Sequence, residues 1–445
     1  MTAEQKKIKE LEKEVASLKE LVKDLLDRID TLKNRKNSRN SSVPPSKDEN
    51  RPKKTKSLRT KSGKKSGGQG GHEGNTLKMV ENPDEIIEYK AKECTICGTS
   101  LEEKKQYLIS RRQIVDIPPI KPRYIEHQVY STICNCGHEN TGNYPDNVKA
   151  PISYGSNIEA LTVYLHTRQY VASDRICEFF RDTCNLPISE GSIYNIIERV
   201  TKRAMPLYER IKQLIEQSKV VGSDETGVKI DGKMNWGWTW QNNHATLITV
   251  SSNRGPQTIS DTFADGIPGA VLVHDCWKPH FKTGTSSHQL CLAHMLRELK
   301  YLEERYRHIW PTRVRELFIE AIKLKKKLKR FEYYYPMQER TKLENQLDEL
   351  IQQDLPSAAK EIIRIQNRLY KYRNYIFKFL YHPDVPPDNN ASERSIRNLK
   401  VKLKVSGQFK SMKGAQCFAV MRSITDTCIK NKQNVLQALR LIAQS

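Results

Sequence analysis

The chain has 445 residues, room for two or three domains. Lys and Arg total 75 against 52 Asp and Glu, a net charge of +23, and apolar residues make up 37%. No run of about 18 apolar residues could span a bilayer, which excludes a membrane protein, and so large a basic excess predicts a polyanionic partner, most often nucleic acid. The first thirty residues are highly charged, unlike a secretory leader, so a cytoplasmic setting is expected and the ten cysteines should be reduced.

Residues 1–34 read as a coiled-coil dimerisation helix. Ile8, Leu11, Val15, Leu18, Val22, Leu25, Ile29 and Leu32 follow at alternating steps of three and four. Every a position is β-branched and every d position is Leu, a pattern that favours a parallel two-stranded coil. Lys7 would face Glu12 of the second helix and Glu14 would face Lys19, whereas Arg28 against Lys33 is a clash. The alternative is a single helix packing on its own domain. Residues 35–80 form a basic linker. From Arg35 to Lys65 they carry many Lys and Arg against only Asp48 and Glu49, and the 35–71 stretch ends in Gly67-Gly68-Gln69-Gly70-Gly71. Such a stretch buries too little apolar surface to fold, and is either a solvated tail or a phosphate-binding arm.

Residues 81–150 read as a small β module. Ile114–Pro119 and Tyr124–Tyr130 have strand character. Cys94 and Cys97, then Cys134 and Cys136, form two close pairs, each followed by Gly. Four thiolates suit tetrahedral Zn²⁺, and a module this small needs such a staple. The tighter C-x-C pair leaves one ligand open, with His138 as a substitute, and a zinc-free cysteine core is the alternative. The other six cysteines, Cys177, Cys184, Cys276, Cys291, Cys417 and Cys428, sit in apolar surroundings and read as small core residues.

Residues 151–205 read as a helix-turn-helix. One helix should run from about Ser156 to Gln169, and a second from Arg175 to Cys184 with Ser173 and Asp174 at its cap. A turn follows over residues 185–188, then a third helix capped by Ser189. In that geometry Ser192 and Asn195 reach base edges in the major groove of double-stranded DNA. An ordinary three-helix packing unit is the alternative.

From residue 219 the period changes. Val220–Asp224 is a short apolar run ending in a carboxylate. Val228–Ile230, Trp236–Trp240 and Ala245–Val250 read as antiparallel strands, with Asp231-Gly232 as one turn. A helix near 256–263, an apolar strand over Ala270–Asp275, a strand over Gln289–Leu292 and a helix near 295–304 complete an RNase H-like α/β order. Trp236, Trp238 and Trp240 share one strand face. They are expected to pack under the insertion rather than stack on a flipped base. Residues 206–300 are thus the first part of a catalytic domain, and 301–384, helical in period, an insertion. Residues 385–445 are the last part with C-terminal helices. Pro386 and Pro387 precede the first of these, and Asp388 or Asn389 can cap it, placing Glu393 early in it. The fold class is multidomain α/β.

In an RNase H-like order the strands bearing Asp224 and Asp275 are adjacent, so the two carboxylates meet. Bare, they would repel. Mg²⁺ (or Mn²⁺) removes that penalty, and two such ions roughly 3.5–4 Å apart can serve displacement at phosphorus. Glu393 is the third candidate and Glu298 its competitor. Glu225 should point to the opposite face from Asp224. Arg394, Arg397, Lys400, Lys402 and Lys404 would hold the DNA strand.

The chain resembles bacterial transposases of the insertion-sequence family sixty-six. The residues that carry the likeness are Asn40-Ser-Ser-Val-Pro-Pro-Ser-Lys-Asp48, the Cys knuckles, Ser223-Asp-Glu-Thr226, His274-Asp275, Cys291-Leu-Ala-His294 and Asp388-Asn-Asn-Ala-Ser-Glu-Arg394. The resemblance implies an RNase H-like DDE domain interrupted by a helical insertion, with Asp224, Asp275 and Glu393 catalytic. It implies cleavage at terminal repeats and strand transfer to target DNA by a homodimer or larger synaptic assembly, with accessory proteins of the same element as partners. The protein would be nucleoid-associated. It also gives Cys291 and His294 a role near the active site, as structural or DNA-backbone support; metal binding by the pair, or a core Cys beside a helix-start His, are the alternatives. Cys276-Trp277 departs from the Gly-Tyr expected after Asp275. The competing functions are a DNA-binding regulator derived from an inactive transposase and a structure-specific nuclease.

Overall fold

The computed structural model describes residues 3–33, 35–37, 40–41, 77–145, 148, 150–306, 308–357 and 359–445. Most of the expected basic linker, with Ser42–Asp48 of the Asn-Ser-Ser motif, lies outside the described residues. Two units are distinguished, Pro52–Pro122 and the remainder of the chain.

In the smaller unit the expected strand at Ile114–Pro119 has no ladder. Pro118 and Pro119 lack the N–H a ladder needs, and Ile114 and Ile117 stay exposed. The order there comes instead from amide side chains. Gln113 pairs with both backbone groups of Val80, and Gln106 with both of Ala91. Around the first cysteine pair, Gly98 N–H donates to Cys94 O and Cys94 N–H to Thr99 O, with Gly98 at φ +71°.

In the larger unit, helix α1 (Ala3–Lys33) carries the whole expected heptad, and every one of its eight apolar positions is exposed. The expected strand over Tyr124–Tyr130 is absent. A short hairpin, β1 (Ser131–Ile133) with β2 (Glu139–Thr141), frames Cys134 and Cys136, with Gly137 at φ +85°.

Helices α2 (Ser156–Val163, continued by a π turn to Arg168), α3 (Ser173–Cys184) and α4 (Glu190–Glu216) follow. Ser189 caps α4 through Ser192 N–H at 3.1 Å, as its position predicts. Ser173 is inside α3 rather than its cap, and Asn185 ends that helix in the left-handed region. α4 continues past residue 205, through Pro206. Its second half buries Ile211 and Ile215 against the sheet, so apolar periodicity outweighs the lost backbone bond.

The sheet holds β3 (Val220–Ile230), β4 (Lys233–Gln241), β5 (Thr246–Ser251), β6 (Ile267–His274) and β7 (Thr285–Leu290), in the order β5-β4-β3-β6-β7. β3, β4 and β5 are antiparallel neighbours; β6 and β7 run parallel to β3. The two strands expected at 220–224 and 228–230 are one, because the antiparallel ladder with β4 runs unbroken from Gly222 to Ile230. The Asp231-Gly232 turn closes that hairpin with both residues at positive φ. Helix α5 (Pro256–Thr262) lies between β5 and β6. Helix α6 (Leu292–Tyr306) starts three residues before Met295, since β7 ends at Leu290 rather than Leu292.

Among its described residues the insertion forms helices and connecting loops with no strand: the end of α6, α7 (Ile309–Lys327), α8 (Gln338–Gln352), α9 (Lys360–Lys371) and short 3₁₀ turns. Helices α10 (Asn390–Ser406), α11 (Met412–Lys430) and α12 (Val435–Gln444) close the chain. One core packs α2–α4, α11 and α12 on the sheet, and a second joins β6 and β7 to the insertion. The Trp strand belongs to the first core, not to the insertion as expected. Trp238 and Trp240 are buried and stacked at 5.7 Å, while Trp236 lies under Arg254. Of the six cysteines read as core, Cys184, Cys291 and Cys428 are buried and the other three half-buried.

Candidate active site

Asp224 lies in mid-strand, not at a strand end. Its position is open for a topological reason: the parallel ladder to β6 stops at Gly222–Val273, two residues earlier. β6 itself ends at His274, so Asp275 follows at the neighbouring strand's carboxyl end. Cys276 then adopts φ +74°, the left-handed conformation that favours glycine, which accounts physically for the Gly the resemblance leads one to expect there.

Helix α10 brings the third carboxylate. Asp388 Oδ1 accepts Asn390 N–H at 3.0 Å and is the capping side chain; Asn389 is not. Asn389 is instead buried and joins α10 to β3. Its Nδ2 donates to Ser223 O at 2.7 Å and its Oδ1 accepts the Ser392 hydroxyl at 2.7 Å. The contact is so close that a Cβ on Gly222 would meet Ser392 Oγ at 2.5 Å, Gln241 Nε2 at 2.7 Å and Asn389 Oδ1 at 2.9 Å. Glu393 sits one residue past Ser392, in the first turn of α10.

The electrostatics tie the three acids together. Asp224 is pushed well above the ordinary carboxylate range, first by burial and then by the charges of Asp275, Glu225 and Glu393. Glu225 is pushed up to about 7 by burial and by Asp275, although Arg254 bonds its carboxylate at 2.8 and 3.2 Å. Glu225 thus belongs to the same electrostatic group, which the alternation of strand faces concealed. Glu298, the competing acid, pairs with Arg368 in α9 and is not among the charges that raise Asp224.

Cys291 and His294 face this helix start. Cys291 Sγ accepts Asn389 N–H at 3.2 Å and meets His294 Nδ1 at 3.3 Å, while His294 Nε2 is 3.7 Å from Glu393 Oε1. Arg297 approaches the same carboxylate oxygen at 3.4 Å. The pair therefore shapes the loop and first turn that carry Glu393.

Beneath Asp275 is a histidine layer that the sequence reading missed. The potential ligand atoms of His274, Asp275 and His280 lie within 4.8 Å of one another, the one such group among the described residues. His274 is already committed: Nδ1 accepts Cys276 N–H at 3.2 Å, which leaves Nε2–H to donate to His288 Nδ1 at 3.2 Å. His280 meets Ser223 Oγ at 3.1 Å. Burial holds His274 well below its usual range, and His280 and His288 at about 4. The one sequence signal was the run His274-Asp-Cys-Trp-Lys-Pro-His280.

Of the expected DNA contacts, Arg394, Arg397 and Lys404 are exposed and Lys400 half-exposed. Lys402 is not available. It is buried over the Phe418 ring, and burial lowers its pKa to about 8. Asn195 is exposed, whereas Ser192 is half-buried and bonded to the cap Ser189. A cleft of about 600 Å³ beside the start of α10 is lined by Lys219, Asn243, His244, Asn390 and Arg394, but by none of the three acids.

Residues 151–417, more than half of the chain, match the family model Transposase IS66 family. The chain belongs to that family. Membership implies an enzyme that cuts and joins DNA, with DNA as its partner and a divalent metal in its chemistry. In this IS66-family chain, the matched region begins after the second cysteine knuckle and contains all three acids. Residues 2–78 match a second model, a family of unknown function (DUF6444), which covers α1. No curated protein matches the chain. Among the described residues no helix is long and apolar enough to cross a membrane.

Proposed function

We propose that this protein is a DDE transposase that cleaves DNA at the terminal repeats of its element and transfers the ends to target DNA. The observation that carries this reading is the placing of Asp224 on β3 and of Asp275 at the end of the adjacent β6, with Glu393 in the first turn of the helix that Asn389 fastens to β3. In keeping with it, burial and the charges of Asp275, Glu225 and Glu393 push Asp224 above the carboxylate range. Such crowding is costly without a cation, and an all-oxygen donor set suits Mg²⁺ or Mn²⁺. Asp224, Asp275 and Glu393 would hold it. When bound, it supplies Lewis-acid activation of the attacking oxygen and stabilisation of the leaving one. Asn389 holds α10 on β3, Cys291 and His294 shape the turn carrying Glu393, and Arg394, Arg397 and Lys400 take backbone phosphates. The strand order, with three antiparallel strands followed by two parallel to the first, supports an RNase H-like domain.

The remaining parts are assigned by the same reasoning. α1 pairs with a second copy of itself, supported by an apolar stripe left exposed along its length. Each cysteine pair forms a turn with a positive-φ Gly. Hydrogen bonding lowers the Cys97 thiol to about 7 and lowers that of Cys134, which suits thiolate ligation of Zn²⁺. Helices α3 and α4 form the DNA-reading pair, with Asn195 outward. The protein acts on the nucleoid, with accessory proteins of the element as further partners.

The test is incubation of the purified protein with Mg²⁺ and DNA flanking its gene, mapping strand breaks. Discrete breaks at the element ends are expected. Asp224→Asn should bind the same ends and cut neither strand. Breaks persisting in Asp224→Asn, or no breaks with the native chain, would refute the assignment.

A further inference from the structure

We propose that the connection between α7 and α8 is a stacking platform for unpaired bases of the DNA this enzyme handles. Phe331, Tyr334 and Tyr335 are 60%, 72% and 65% exposed there. Lys326, Lys327 and Lys329 are exposed beside them, and among the described residues none of their ammonium groups pairs with a carboxylate. Three exposed rings in one short loop are unfavourable in water unless something covers them.

The loop is not loosely held. Arg340, 3% exposed, donates to the carbonyls of Tyr333, Leu380, Glu332 and Tyr335. The Glu332 carboxylate accepts Lys329 N–H. Tyr333 points inward, with the Lys325 ammonium 4.5 Å from its ring centroid. Lys325 in turn donates to the carbonyls of Phe379, His382 and Pro383. Arg330 makes a two-pronged bond to Asp384, at 3.0 Å on each arm, in the segment that leads into α10. Buried donors therefore fix a backbone whose outward cargo is aromatic, and they join it to the strand of chain that delivers Glu393.

Charge and shape together select the occupant. Unpaired lysines suit phosphates, and ring faces suit nucleobases. In an intact duplex the bases are already stacked and out of reach, so the platform fits single-stranded or locally opened DNA. This rests on the reading of the chain as a DNA-processing enzyme, and the test separates the two.

The full-length protein is titrated with a single-stranded oligodeoxynucleotide carrying 2-aminopurine, and with the same sequence as duplex. The native chain should quench the fluorophore on the single strand. The variant Phe331→Ala/Tyr334→Ala/Tyr335→Ala should lose the quench and weaken single-strand binding by roughly tenfold or more, with duplex binding within twofold and the melting temperature unchanged. Tyr334→Phe/Tyr335→Phe should bind as the native chain does. Lys326→Gln/Lys327→Gln/Lys329→Gln should flatten the salt dependence of single-strand binding by about two units of slope. Unchanged single-strand binding in the triple Ala variant overturns the platform, and so does an equal loss on single strand and duplex. If the native chain cuts element ends while the triple Ala variant is unaltered, only the platform falls; if it binds neither DNA form, both readings fall.

Discussion

Gly222 decides whether the third acid reaches the first two. Its missing side chain is what lets Ser392, Gln241 and Asn389 close over β3. Gly222→Ala should push α10 outward, costing about 1–3 kcal/mol by overpacking and reducing strand cleavage more than DNA binding. A variant with native melting temperature and native cleavage would show that α10 does not depend on this contact. The placing of the acids was legible in part: Asp275 follows the end of β6 and Glu393 falls in the first turn of α10, as strand pattern and the Pro-Pro-Asp-Asn helix start suggest, whereas Asp224 lies inside β3 and not at its end. Glu225 was not, because neighbouring residues on a strand alternate faces, and only the end of β6 lets Asp275 act on both. Nor were the roles of Asn389 and Gly222, since each depends on a partner distant in sequence. Lys402 was misread because one charged residue on an amphipathic helix gives no sign of which side packs.

At the scale of elements, period carried most of what the sequence offered. The α1 heptad, the α4 cap, the Asp231-Gly232 turn and the helical insertion all follow from local pattern. The β module did not, because Ile114–Pro119 and Tyr124–Tyr130 have strand composition but no ladder partner among the described residues. Two strands became β3 because the β4 ladder continues through Glu225–Gly227, which composition alone reads as a break. Deleting residues 1–34 should convert a dimer to a monomer in light scattering; a dimer that survives would place the interface elsewhere. Cys94→Ser should lower bound zinc in elemental analysis. Equal zinc in the variant and the native chain would count against the knuckle assignment.

For the whole molecule, the buried histidines set the response to acid. His166 at about 3, His280 and His288 at about 4, and His274 well below its usual range all lie under the unfolded value near 6.5. The folded state therefore binds fewer protons, and stability is full above about 6.5 and falls as pH drops toward those values. Asp224 and Glu225 act in the opposite sense, since their folded pKa values are raised and their contribution falls as pH rises. Four imidazoles outweigh two carboxylates, so melting temperature should rise between about pH 5 and 6.5, each net proton contributing about 1.4 kcal/mol per pH unit. A flat or falling profile would mean that the histidine layer is hydrated rather than buried.

The most direct measurement is Mn²⁺ binding followed by electron paramagnetic resonance, without DNA, in the native chain and in Asp224→Asn, Asp275→Asn and Glu393→Gln. The account predicts that all three substitutions weaken the same site, each by about tenfold or more. Native affinity in Glu393→Gln alongside a loss in the two aspartate variants would contradict a single three-acid centre.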